Sequence, residues 1–285
     1  MIFTFLEIIF SLAVFLLIFK VSFHRQSIKQ LLILSIKNIF QEHKFFVPLL
    51  LMIILLILNT LRVHYENFFY LHRLKEITNL AMRIEGDWIS KIQTSNKFII
   101  SFFLFFYIVI YSAQLYGTAI ILVALNKKRG FYVFLLSLML ALSMAIPIYL
   151  LFPIREPWMA YPGKIFLLPN LININILKNI HNVGAGFYDG LPSLHITYVT
   201  ITILIYAYLK VKKLFFITFI NGIIIAFSTM FLGIHWAVDF FAGIICGVIA
   251  FTIAKLIVKK YEVIKNGFPP ILEQLKSKLN NKDER

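Results

Sequence analysis

The sequence contains a single cysteine, Cys246, among its 285 residues. One thiol cannot close an intrachain disulfide, and it offers no cysteine-based metal site. Acidic side chains are scarce as well: 13 Asp and Glu stand against 28 Lys and Arg, a formal net charge of +15. No internal repeat, low-complexity tract or Gly/Ser-rich linker divides the chain. The first residues, MIFTFLEIIFSLAVFLLIFK, lack a basic leader and a small-residue cleavage site and carry Glu7 within the apolar run. They read as a retained helix rather than a signal peptide.

What is abundant is apolar. Hydrophobic residues make up 60% of the chain and aromatic ones 16%, and the mean hydropathy is +0.84. Those values describe an all-α polytopic membrane protein rather than a soluble domain. In that setting a basic excess tracks the positive-inside rule and anionic headgroups, so no nucleic-acid partner is expected.

A spanning helix takes about 20 mostly apolar residues. Seven segments qualify, at about 2–22, 46–61, 98–125, 131–151, 194–209, 214–233 and 236–258. Between the first two, Leu31, Leu32, Ile33, Ile36, Ile39 and Phe40 alternate with Lys29, Gln30 and Lys37 at helical spacing, which predicts a helix lying on the membrane surface. Three parts follow: residues 1–45 as an N-terminal transmembrane helix with a basic interfacial segment, 46–258 as the membrane domain, and 259–285 as a basic tail. Arg25, Lys29, Lys37 and Lys44, then Lys127, Lys128 and Arg129, then Lys210, Lys212 and Lys213, then the lysine-rich tail, all fall on one side when spans are counted. The positive-inside rule makes that side cytoplasmic. The loops 62–97 and 152–193 then face outward, and the C-terminus inward.

Chemistry gathers on the outward side. His235 and Asp239 lie four residues apart in STMFLGIHWAVD and share one helical face. An aspartate at mid-helix costs about 2.5–3.5 kcal/mol in a membrane, so such a pair calls for a use. The hairpin between Leu194 and Gly233 brings His195 to the same boundary, and the helix from Phe131 ends there to deliver Arg155. Asp239 can hold one nitrogen of His235 and leave the other as a nucleophile. His195 can protonate a departing oxygen, a step typically worth about 10²- to 10⁴-fold. Arg155, Ser193 and the backbone N–H groups at PSLH suit a phosphoryl group, and Gly233 permits close approach of backbone to ligand. Read blandly, Ser193 is a helix N-cap, Asp239 a partner for a helix dipole, and Gly233 a packing residue.

PSLH at 192–195 followed by STMFLGIHWAVD at 228–239 resembles the second and third signature motifs of the type 2 phosphatidic acid phosphatase superfamily. The resemblance covers about residues 131–258. It implies a six-helix membrane core, to which the N-terminal helix is an addition, and a reaction through a phosphohistidine without metal or other cofactor. Carried onto this chain, it implies His235 as nucleophile, Asp239 as its orienter, His195 as acid and base, and Ser193, Arg155, Ser228 and Gly233 around the phosphate. Two basic residues common in its phosphatases are missing: position 148 is isoleucine, and Ser228 is followed by Thr229. Fewer cations suit a singly charged phosphodiester better than a phosphomonoester. The same departures, with EPW at 156–158, resemble the branch containing inositol phosphorylceramide synthases. That implies transfer of a phospho-headgroup from a donor lipid to a lipid alcohol, with water in place of the alcohol giving a phosphatase of lipid phosphates or polyprenyl diphosphates. A transporter would also place His and Asp in the membrane, but at the midplane of paired repeats.

Two outward segments complete the expectations. MRIEGDWISKIQ at 82–93 reads either as a lid over the site or as a solvated connector. The loop between Arg155 and Pro192, with Tyr188 and Asp189 at its end, is expected to shape the pocket and set specificity.

Overall fold

The computed structural model describes residues 43–64, 73–172, 186 and 188–266. The segment 2–22, the surface helix before residue 43, the NININILKN stretch and the far tail lie outside the described residues. Among the described residues every regular element is helical, and the sole β-type pairing is an isolated bridge between Ile154 and Asp189.

In chain order the helices are α1 (His43–His64), α2 (Arg73–Glu85), α3 (Trp88–Ile92), α4 (Lys97–Ala124), α5 (Lys128–Leu151), α6 (Pro157–Ala160), α7 (Leu194–Tyr208), α8 (Lys212–Phe231) and α9 (Ala237–Asn266). Four of them are long and apolar enough to cross a membrane: α4, α5, α8 and residues Ala237–Tyr261 of α9. One segment expected to span is shorter: α7 has 15 residues, while α1 has 22. At the usual helical rise α7 is about 22 Å long, against about 30 Å of hydrocarbon.

The shortness of α7 follows from where it starts. Pro192 and Ser193 end the preceding loop, and Ser193 takes the N-cap position in extended conformation. α7 nevertheless lies at the centre of the bundle, packed against α4, α5, α8 and α9. Ile201, Ile205 and Tyr206 are buried there with Phe131, Phe134 and Ala250. The hydroxyls of Thr197 and Thr202 return to the carbonyls of Ser193 and Tyr198 in their own helix, at 2.8 and 2.7 Å. No polar atom of theirs is stranded.

Small residues bring α9 against α7. A Cβ added at Gly243 would lie 2.8 Å from the Ser193 carbonyl oxygen, and one at Gly247 would lie 2.8 Å from that of Thr197. The G-x-x-x-G spacing lets the two backbones touch, and Thr197 Oγ1 reaches the Gly243 carbonyl at 3.1 Å. The start of α7 is thereby fixed beside the start of α9.

The opposite end holds the basic turns. Asn126 and Lys210 adopt φ of 51° and 57°, ending α4 and α7 just before Lys127–Arg129 and Lys212–Lys213. Gly130 and Leu209 meet there, so both basic turns sit at one end of the bundle. At that end Tyr206 of α7 donates to Thr118 of α4 at 3.0 Å. Counting back along both helices, α4 continues for about ten residues, or about 15 Å, beyond the start of α7. The first turn of α7 therefore lies in a recess below the end of α4.

Candidate active site

The recess is lined by the starts of α7 and α9, the end of α5 and the middle of α4. His235 stands in the short connection between α8 and α9. Gly233, at φ +84°, makes the turn that ends α8, and the Thr229 carbonyl then accepts the N–H groups of Ile234 and His235, each at 3.1 Å. A Cβ at Gly233 would lie 2.5 Å from the Phe166 carbonyl oxygen. Its α-carbon therefore faces the 161–172 loop, and its own carbonyl accepts from the Trp158 N–H at 3.2 Å.

Asp239 is fully buried, and His235 is 6% exposed. Nδ1 of His235 lies 3.2 Å from Oδ2 of Asp239. With the proton on Nδ1, the ring donates to the carboxylate and Nε2 keeps its lone pair. The same oxygen accepts the Trp236 N–H at 3.0 Å. Oδ1 of Asp239 and Oγ of Ser193 are both buried with no hydrogen-bond partner among the described residues. Ser193 is tied to Asp239 by its backbone, donating its N–H to the Asp239 carbonyl at 3.2 Å.

His195 enters from the first turn of α7. Its ring centroid is 6.0 Å from that of His235. Two tyrosines of α4 hold it: Tyr107 stacks on it at 4.5 Å and Tyr111 tilts against it, also at 4.5 Å. Tyr107 belongs to, and Tyr111 directly follows, an interruption of α4 where residues Phe106–Ile110 form a π turn. Such a turn inserts an extra residue and rotates the helix face, and it recurs at functional sites.

The remaining expected residues are spread around this centre. The hydroxyl of Ser228 donates to the Ile224 carbonyl in its own helix at 2.7 Å. Arg155 has an exposed side chain. Its backbone is fixed, the N–H donating to Thr78 Oγ1 at 3.1 Å and the carbonyl accepting from the Trp236 indole at 2.8 Å. Among the described residues no three His, Cys, Asp or Glu side chains converge as a metal site would require.

Sequence reasoning passed over four contributors. Arg62 of α1 pairs through both terminal nitrogens with Asp189, and its guanidinium lies 5.1 Å from the centre of the Tyr149 ring. The Tyr149 hydroxyl donates to the Pro192 carbonyl at 2.8 Å, and a Cβ on Gly190, next to Asp189, would lie 3.0 Å from Oδ2 of Asp239. A buried cation thus stands one position beyond Ile148, delivered by a different helix. Glu156 is buried, and its carboxylate accepts from the Trp158 indole at 2.5 Å. Tyr107 and Glu85 complete the set.

The segments before α4 and after α5 pack against this end of the bundle. On α2, Leu74, Thr78 and Ala81 form a buried stripe at helical spacing, and Ala81 packs with Ile154 and Trp236. The segment 82–93 is tied down through Met82 to Tyr161, through Glu85 to the N–H groups of Ala237 and Val238, and through Gln93 to the carbonyls of Phe166 and Phe231. The loop after Arg155 lines a cavity of about 510 Å³ walled by Trp158, Met159, Ile165, Phe166, Leu167 and Leu171.

In comparison with known proteins, the model of one family, described as the PAP2 superfamily, matches residues 75–253. That span contains His195, His235, Asp239, Arg155 and Glu85. No curated protein and no solved structure matches the chain.

Proposed function

The chain belongs to the PAP2 superfamily, whose members are phosphatases and phosphotransferases, and from that premise we propose a lipid headgroup phosphotransferase acting through a phosphohistidine on His235. The chain is an enzyme of that general class, set in a membrane-type helical bundle, with lipid phosphates as its substrates. The finer reading is supported above all by one observation: the buried His235–Asp239 pair facing the ring of His195.

In this reading Nε2 of His235 attacks phosphorus in line with the ester oxygen. The P–N bond forms as the P–O bond breaks, and His195 gives its proton to the departing alkoxide. Asp239 stabilises the cationic ring that results. The acceptor hydroxyl then loses its proton to His195 and attacks phosphorus, and the P–N bond returns its electrons to His235. Ser193 with the N-terminal N–H groups of α7, and Arg155 by reorientation of its exposed side chain, contact the phosphoryl oxygens. Ser228 and Gly233 hold the wall of the same pocket.

A singly charged phosphodiester suits a site whose buried arginine, Arg62, is already matched by Asp189. The apolar cavity beside Trp158 suits a lipid chain. The architecture we propose is a six-helix core over residues 46–258 with an added N-terminal helix and a basic tail. The basic turns then face the cytoplasm and the recess faces away from it.

The decisive experiment is an assay of the detergent-solubilised full chain with headgroup-labelled phosphatidylinositol and a ceramide acceptor, and separately with labelled phosphatidic acid. New labelled lipid that disappears in His235→Ala supports the transferase. Free phosphate from phosphatidic acid, with no new lipid, replaces it with a phosphatase using the same residues. Turnover retained in His235→Ala overturns both.

A further inference from the structure

The first turn of α9 carries both His235's partner and an unusual cap. Trp236 occupies the N-cap position, Ala237 and Val238 the next two, and Asp239 the third helical position. A common arrangement pairs a Ser, Thr or Asp side chain at the N-cap with an acidic residue at the third position, each satisfying the other's backbone N–H. Only half of that arrangement is present here. Asp239 reaches back to the Trp236 N–H, but an indole at the N-cap has no oxygen to return.

Acceptors for the next two N–H groups of the turn come from Glu85, at the end of α2. Its Oε2 accepts the Ala237 N–H at 2.8 Å and its Oε1 the Val238 N–H at 2.6 Å, across 152 and 153 residues of sequence. Both carboxylate oxygens are used, each in a charge-assisted bond to the positive end of a helix. α2 is held in place to do this: Thr78 accepts from Arg155, Tyr161 donates to the Met82 carbonyl at 3.2 Å, and Ala81 packs on Trp236. Gly86, at φ +65°, turns the chain immediately after the carboxylate.

We infer that Glu85 is a positioning residue of the phosphotransfer site: it caps α9 from outside and so fixes the register between His235 and Asp239. The inference rests on the proposed role of His235. Residues 237 and 238 are the two links between Trp236 and Asp239, and without acceptors the first turn frays. Nδ1 of His235 then loses the alignment that aims Nε2 at phosphorus. The outward helix α2 is by this route part of the catalytic apparatus although Glu85 touches no reacting atom.

Two measurements on the full chain test it. The first is hydrogen exchange of peptides covering residues 234–241, which needs no substrate. Glu85→Ala should speed exchange there by about 10-fold or more while the rest of α9 is unchanged. The second is turnover of the headgroup-labelled phosphatidylinositol and ceramide pair. Glu85→Ala should lower kcat by about 100-fold and Glu85→Gln, which keeps one acceptor oxygen, by about 10-fold, with KM within about twofold. Glu85→Ala combined with Asp239→Asn should be no more than about twofold slower than Asp239→Asn alone, because both act on one alignment.

Unchanged exchange at 234–241 overturns the cap. An unchanged kcat, a loss confined to KM, multiplicative effects in the double variant, or failure of Glu85→Gln to fold overturns the positioning role. Turnover retained in His235→Ala, or no turnover of either lipid by the parent chain, strikes the proposed function instead, and the exchange result then stands on its own.

Discussion

Oδ2 of Asp239 serves His235 and the Trp236 N–H together, at 3.2 and 3.0 Å, inside a fully buried first turn. The carboxylate therefore orients the imidazole and caps the helix with a single oxygen. Asp239→Asn leaves the volume unchanged but removes the charge that stabilises a cationic ring. We expect kcat to fall by about 10⁴-fold, as when the carboxylate of a catalytic triad is converted to an amide, with near-normal expression. Steady-state assay and apparent Tm in detergent, measured together, check both halves.

The contact of Gly243 with the Ser193 carbonyl yields a packing prediction. A methyl group there would sit 2.8 Å from a backbone oxygen, which cannot retreat without moving the N-cap of α7 and His195 two residues on. A displacement of about 1 Å is enough to cost about 100-fold in rate. Gly243→Ala should therefore lose about two orders of magnitude in kcat, with an apparent Tm lowered by the overpacking. The rate and Tm of purified Gly243→Ala decide it.

Much of the centre was legible because its signals are local. The spacing of His235 and Asp239 places both on one helical turn, and PSLH announces a helix start. The meeting of His195 with His235 follows from a hairpin of two apolar helices. The unreadable parts depend on packing between distant segments. FFLFFYIVIYS contains nothing local that distinguishes a π turn from an α-helix, so the tyrosine clamp on His195 was invisible. Glu85 and Arg62 act on partners 152 and 127 residues away. Residues 194–209 read as an apolar span on hydropathy, which does not show that Ser193 starts α7 at Leu194 and leaves it 15 residues long. Arg155 illustrates the converse: sequence placed its backbone at the site, while the fold turns its side chain outward.

Arg62 and Asp189 form a nearly buried ion pair, their side chains 9% and 8% exposed. Removing one partner strands a charge, which costs about 3–5 kcal/mol, whereas replacing both with apolar groups is often close to neutral. Arg62→Met alone and Asp189→Leu alone should each lower the apparent Tm markedly, and the double variant should recover most of the loss. Because Asp189 sits beside Gly190 and Asp239, activity in the double variant reports whether the guanidinium also meets substrate. A stable double variant with a raised KM would assign Arg62 to phosphate binding, and one with a normal KM would confine it to holding the 188–192 loop.

Tyr107 stacks on His195 at an interplanar angle of 27°. Such aromatic contacts are worth about 0.5–1.5 kcal/mol beyond burial, which corresponds to about a 2- to 12-fold effect on rate. If the ring itself positions the general acid, Tyr107→Phe should retain activity and Tyr107→Leu should lose about that factor in kcat, with KM unchanged. Substrates whose leaving group needs no proton, such as p-nitrophenyl phosphate esters, should be affected less, because His195 then contributes less to bond cleavage. Equal losses on activated and unactivated esters would show instead that Tyr107 supports the pocket as a whole, and the stacking on His195 would then be packing alone.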